Sequence, residues 1–328
     1  MTDIRREHEY VTLKVFVSGD PQAKNEKRVF EHLKTTKSSH AGARFIRVLR
    51  DSFELPGEKG PHECLVHDAL GVTLKQLREL SDGEKLPFEL VRPIIYHVLF
   101  ALNYLHSQAK VVHTDIQEEN NMMSIADKEL LKQFEEEEWP DPSLRSIDGN
   151  RIIYASRDLE VPDDFSHFVV CDLGYAVFGE KKYSGEAMPD LYRAPELVLR
   201  TTWDEKIDIW SLGLMCWTLL EGDHLFKDRL PSRSDSTPAH IARMVALLGP
   251  PPKDMLNRGS WSYNFFDESG NLKADVENAT TSLEDEFGGL IGEEKTSCLK
   301  FLRRTLQWRP EDRATAGELL DDLHEVYW

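Results

Sequence analysis

At 328 residues and 37.8 kDa the chain is long enough to bury a large core, in one big domain or in two lobes. Its 58 acids against 40 Lys and Arg give a net charge of −18, a field that repels nucleic-acid phosphates and attracts basic peptides, though solubility alone accounts for such a charge as readily. A mean hydropathy of −0.47 and the lack of any long apolar run exclude a membrane-spanning helix, and MTDIRREHEY has no apolar stretch of a secretory signal. The four cysteines, Cys64, Cys171, Cys216 and Cys298, are too scattered for a disulfide framework or a structural zinc site. An intracellular, reducing setting is expected.

Strand character comes first. In Tyr10–Val17, Val11, Leu13, Val15 and Val17 alternate with Tyr10, Thr12, Lys14 and Phe16, so one face is apolar and Lys14 sits on the other. Residues 25–34 read as a short amphipathic helix, and further strands are expected near 44–53 and 62–67. From about residue 71 helices take over. Val91, Ile94, Ile95, Val98, Leu102 and Leu105 place a helix within 88–107, which should start late enough to keep Pro93 in its first turn. Residues 207–221 are apolar nearly all round, as in a buried central helix, and 314–327 close the chain as another helix. Between them, 121–168 form an acidic spacer whose run Glu135–Glu138 reads as a solvated face or loop.

The chemistry-bearing residues are spread along this frame. In His113-Thr-Asp115-Ile-Gln117-Glu-Glu-Asn120, an Asp and an Asn five residues apart on a loop can divide two tasks, the carboxylate accepting a hydroxyl proton and the amide oxygen holding a metal. The same spacing also occurs in ordinary turns. Phe168-Val-Val-Cys-Asp172-Leu-Gly174 is an apolar strand ending in an acid suited to Mg²⁺, or in a plain turn. Downstream stand Ala194-Pro-Glu196, Asp208 inside the buried helix, and Arg313. A buried Glu196 and Arg313 would need each other, and Lys14 can pair with Glu26 across strand and helix.

In this order the set resembles a eukaryotic protein kinase. Lys14 and Glu26 match the lysine strand and its helix partner, Asp115 and Asn120 the catalytic loop, Asp172 the metal-binding aspartate (DLG here), Ala194-Pro-Glu196 the APE motif, and Asp208 and Arg313 the anchors of the larger lobe. The HTDI loop, the acidic spacer and Leu247-Leu-Gly-Pro-Pro-Pro252 are similar to the SR-protein kinases of the CMGC group in a fungal form. The resemblance implies an α+β bilobal fold, with an incomplete β-rich N-lobe over 1–70 (lysine strand, helix, hinge) and a mainly helical C-lobe over 71–328. It implies ATP and Mg²⁺ as cofactors and transfer of the γ-phosphate to Ser or Thr of Arg/Ser-rich, splicing-factor-like proteins. Lys14 would contact phosphates and be held by Glu26, Asp172 and Asn120 would hold Mg²⁺, and Asp115 would take the substrate hydroxyl. The backbone of Asp68, Ala69 and Leu70 would meet adenine. His67 lines the back of that pocket or is simply a packed core histidine, the blander assignment. A monomer without direct nucleic-acid or membrane contact is expected, in the cytoplasm and, given such substrates, also the nucleus.

Three departures qualify the pattern. Thr114 replaces an arginine that in many kinases grips an activation-loop phosphate, so activity independent of that modification is expected. Gln117 replaces a lysine on the γ-phosphate, which points to a slower enzyme. Gly19 is the first glycine in the chain, so no Gly-rich loop precedes Lys14; without its strands the sheet leaves an apolar face and an edge bare. The chain is then an N-terminally shortened kinase or, alternatively, a catalytically impaired pseudokinase acting as a protein-binding scaffold. A small-molecule phosphotransferase shares the H-x-D-x4-N loop but is not expected to carry the APE motif and the late arginine.

Overall fold

A computed structural model describes residues 9–325 apart from 37, 150, 158, 162–166, 180, 227–232 and 274–280. The N-terminal part is an antiparallel sheet in the order β1-β3-β2, built from β1 (Val11–Val15), β2 (Leu49–Leu55) and β3 (His62–Asp68) and covered by helix α1 (Pro21–Thr35). Helix α1 starts four residues earlier than its periodicity suggests. Asp20 caps it by accepting from the Gln22 amide at 2.9 Å, and Pro21 fills the first position, where a missing N–H costs nothing. The face it buries carries Ala23, Glu26, Val29 and Phe30, which points a carboxylate at the sheet. Strand β1 turns Lys14 and the buried Phe16 toward this interior and leaves Val11, Leu13, Val15 and Val17 41–75% exposed. Alternation defines two faces without saying which one packs, and here the lysine face does.

The strand expected from residue 44 begins only at Leu49. Residues Ala41–Phe45 form a 3₁₀ turn, because the His40 ring accepts from the Gly42 amide at 3.0 Å and Gly42 lies where any Cβ would overlap the Phe100 carbonyl. After β3 only Ala69 separates β3 from β4 (Leu70–Thr73), which leads into α2 (Leu74–Glu79).

Helix α3 runs Phe88–Asn103 and continues as a π-helical turn, Tyr104–Ala109, stopped by Lys110 in the left-handed region at φ 55. Its start at Phe88 corrects the expected late start. Pro93 sits inside the helix, and burial of Val91, Ile94, Ile95, Val98, Leu99 and Leu102 offsets the lost hydrogen bond. Its partner α6 (Lys206–Glu221) buries every residue from Ile207 to Leu220, as its all-round apolarity implies. Helices Gly292–Thr305 and Ala316–Glu325 complete this core; the last residues of the final helix expected from sequence, 326 and 327, lie outside the described residues.

The spacer is more ordered than its composition suggests. Strand β5 (Val111–Val112) precedes it, and β6 (Asn121–Ser124) opens it by pairing β4 and, later, β9 (Phe168–Val170). Between β6 and β9 lie helix α4 (Glu129–Glu137) and the hairpin β7 (Arg145–Asp148) and β8 (Arg151–Tyr154). Of the two readings of Glu135–Glu138, a solvated face or a loop, the solvated face of a helix is the one observed, and α4 buries no residue fully. The Tyr10 hydroxyl donates to Glu135 at 2.6 Å, tying the spacer to the start of β1.

Candidate active site

Two clusters of short contacts carry the site. In the first, Lys14 Nζ donates to Glu26 Oε2 at 2.7 Å and to Asp172 Oδ1 at 3.1 Å, so one ammonium joins β1, α1 and the loop after β9. Burial alone would lower the Lys14 pKa, but the two carboxylates outweigh it and hold the ammonium above its ordinary value. Burial likewise pushes Asp172 up, and the Lys14 charge and hydrogen bond more than reverse this, keeping it ionised below the usual range. Asp172 takes a left-handed backbone at φ 59, and its Oδ1 also accepts from the Gly174 amide at 3.1 Å.

In the second cluster both carboxylate oxygens of Asp115 are held by amides. Gln117 Nε2 donates to Oδ1 at 2.8 Å; Asn120 Nδ2 donates to Oδ2 at 2.7 Å and to the Asp115 carbonyl at 2.9 Å. Burial raises the Asp115 pKa, and His113, Asn120 and Gln117 offset only part of that. His113 Nδ1 accepts from the Asp115 amide at 3.2 Å, so its Nε2 is the donor to the Cys171 carbonyl at 2.9 Å. The Cys171 amide donates to the Asn120 carbonyl at 2.8 Å, which locks the Asp115 loop to the strand that ends at Asp172.

Asp208 holds this loop from below. Its carboxylate, buried in α6, accepts from the His113 and Thr114 amides, each at 2.8 Å, and from His106 Nε2 at 2.8 Å. Thr114 sits at φ 71 and its hydroxyl donates to the Tyr175 carbonyl at 3.1 Å, so this position touches the following segment by a neutral hydrogen bond. Arg313 meets Glu196 through two bonds of 2.7 and 2.6 Å, with neither side chain exposed.

Asp68, Ala69 and Leu70 occupy the β3–β4 junction and line a cavity of about 740 Å³ together with Arg47 and His167. None of Lys14, Asp115, Asn120 or Asp172 lines that cavity. His67 is fully buried, with Nδ1 on the Val48 carbonyl at 2.9 Å and its pKa lowered to about 4 by burial, as befits a core histidine. A separate pocket of about 400 Å³ opens at Asp115 and Gln117, walled by Tyr175, Met188 and Trp203 and rimmed by Glu186.

Two sets of residues escaped the sequence reading. Arg78 clasps Glu118 inside the Asp115 loop at 2.9 and 2.8 Å, with both side chains buried, and Asn25 of α1 donates to the Gly174 and Ala176 carbonyls at 3.0 and 2.9 Å. Neither sits in a spacing that local patterns reveal, because the partners lie 40 and about 150 residues apart.

The donor set suits a hard cation. Asn120 spends its Nδ2 on Asp115, which leaves Oδ1 without a hydrogen bond among the described residues, and Asp172 retains Oδ2. Two protein oxygens are the usual complement for Mg²⁺, which keeps its other positions for water and phosphate.

Comparison with known proteins gives the same answer. The protein kinase domain family matches residues 158–324. A serine/threonine protein kinase of Aspergillus fumigatus is 34% identical over 319 residues, covering 96% of this chain and 78% of that protein. The serine/threonine-protein kinase SRPK of Physarum polycephalum is 29% identical, covering 95% and 78%, and the dual specificity protein kinase CLK4 of Homo sapiens is 25% identical, covering 91% and 56%. The small-molecule phosphotransferase reading finds no support among these relatives. With its lysine, catalytic loop and metal-side aspartate drawn together as described, the chain belongs to the protein kinase domain family and is an ATP-dependent serine/threonine protein kinase.

Proposed function

We propose that the phosphoryl acceptor is serine in basic, Arg/Ser-rich protein segments and that Asp115 receives its hydroxyl proton. The observation that carries this reading is the amide clamp on Asp115, which fixes both carboxylate oxygens at the mouth of the 400 Å³ pocket. ATP supplies the transferred phosphoryl group when bound. Asn120 Oδ1 and Asp172 Oδ2 would hold Mg²⁺, and Lys14, steadied by Glu26, presents its ammonium toward the nucleotide phosphates. The backbone at Asp68, Ala69 and Leu70 is assigned to adenine. A net charge of −18 supports a basic substrate; Glu186 on the pocket rim is itself paired with Arg193 at 2.9 Å.

The pseudokinase reading has little to rest on, since the ion pair and the loop clamp are both assembled. Gln117 leaves the site one cation short, which favours a slow enzyme over an inert one. A location in the cytoplasm and nucleus is proposed from that substrate class, and the chain is taken to act as a monomer. Incubation with Mg-ATP and an Arg-Ser repeat peptide should incorporate phosphate, and Asp115→Asn should reduce incorporation by about 10²-fold or more. Equal incorporation by the variant would remove Asp115 from its role. Phosphorylation of an acidic peptide in preference to the Arg-Ser repeat would remove the substrate assignment.

A further inference from the structure

The cavity of about 740 Å³ at the β3–β4 junction is separate from the catalytic cluster and shares no lining residue with the pocket at Asp115. One of its walls runs from the 3₁₀ turn into β2 and carries Arg44, Arg47 and Arg50; the facing wall is the spacer, with helix α4. Ile46, Val48, Leu70, Ile125 and Leu131 supply apolar surface between them.

Charge on the two walls is spent unevenly. Each acid in the lining has a partner: Arg50 takes Glu9 at 3.0 Å and Asp68 at 2.6 Å, and Lys132 takes Glu129 at 3.0 Å and lies 3.9 Å from Glu136. The Tyr10 hydroxyl donates to Glu135 at 2.6 Å, and Asp127 accepts from the Glu129 amide at 2.9 Å. Three cations of the same lining, Arg44, Arg47 and Lys128, make no ion pair among the described residues. Arg47 Nε is buried without a hydrogen-bond acceptor. The Arg44 guanidinium lies 4.6 Å from the centre of the Phe45 ring, which steadies it and leaves its N–H groups unspent. An underserved guanidinium on one wall raises the worth of an anion placed against it, and its planar fork matches a carboxylate.

We propose that this cavity is a second ligand site, distinct from the nucleotide and substrate sites, for an organic carboxylate with an apolar body. The carboxylate lies on Arg44 and Arg47 and the body on Ile46, Val48 and Leu70. A ligand seated there touches β2 on one side of the Asp68–Leu70 junction and β9, through Val169, on the other, so it ties the N-terminal sheet to the rest of the chain. The binding depends neither on phosphotransfer nor on the adenine assignment, so it stands or falls separately from the proposed function.

Titration calorimetry with naphthoate as the probe tests it. Binding is expected to be about tenfold tighter than for naphthamide, which keeps the apolar body without the charge, and than for acetate, which keeps the charge without the body. The double variant R44Q/R47Q should lose that margin, and Lys14→Met should keep it. Arg44 is exposed, so Arg44→Gln alone gives the same reading, a severalfold loss, should the double variant fail to fold. No binding of naphthoate, equal binding of naphthamide, binding unchanged in R44Q/R47Q, or displacement by ADP would overturn the proposal. A capped Asp-Phe-Asp peptide that binds more tightly than naphthoate, in a manner lost in R44Q/R47Q, identifies an acidic protein segment as the source of the carboxylate; weaker binding identifies a free small acid.

Discussion

Asp115 works without a neighbouring lysine, and this has a consequence for its titration. Its carboxylate accepts hydrogen bonds from the side-chain amides of Gln117 and Asn120, while burial outweighs them and keeps its pKa above the ordinary aspartate value of about 3.9. A carboxylate that must be ionised to take a hydroxyl proton loses activity as pH falls through its pKa. The acid limb of kcat/KM should therefore lie above the normal aspartate range. Gln117→Lys places a cation against Asp115 and the developing phosphoryl charge, so it should lower that limb and raise kcat about tenfold. A limb that stays in place, with unchanged kcat, would mean that Gln117 does not act through Asp115.

Elements are joined here by buried polar contacts as much as by apolar packing. Glu196 at the start of α5 (Pro195–Val198) and Arg313 after the penultimate helix are both shut off from water, and each is tolerable only with the other. Arg313→Met alone should cost about 3–5 kcal/mol by stranding the Glu196 charge, whereas the double variant E196L/R313M should cost much less, as read by denaturant unfolding. Additive losses in the double variant would show that the arginine acts through its bonds to the Gln307 and Lys206 carbonyls, at 2.9 and 3.1 Å, instead. Asp208 does the same for the catalytic loop, fastening two loop amides to α6.

Across the whole molecule the net charge of −18 is a long-range influence on substrate encounter. For an Arg-Ser repeat peptide, KM should rise severalfold as salt goes from about 50 to about 200 mM, while kcat changes little, because screening shortens the reach of surface charge. A neutral serine peptide should show a flat KM over the same range. A flat KM for the basic peptide too would confine recognition to contacts within the pocket.

Local patterns carry a large share of this protein. The order Lys14, Glu26, Asp115, Asn120, Asp172, Glu196, Asp208, Arg313 is legible in the chain, as are the buried helix at Ile207–Glu221 and the core character of His67, because each rests on residue type and short-range period. The structure starts α1 at Pro21, behind the Asp20 cap and four residues before its periodicity begins. Which face of β1 turns inward, the helical spacer, the Arg78–Glu118 clasp and the reach of Asn25 to the Gly174 carbonyl belong to the tertiary structure alone. A repeat of two or 3.6 residues sets the faces of an element, but partners tens to hundreds of residues apart meet only when packing of those faces brings the elements together.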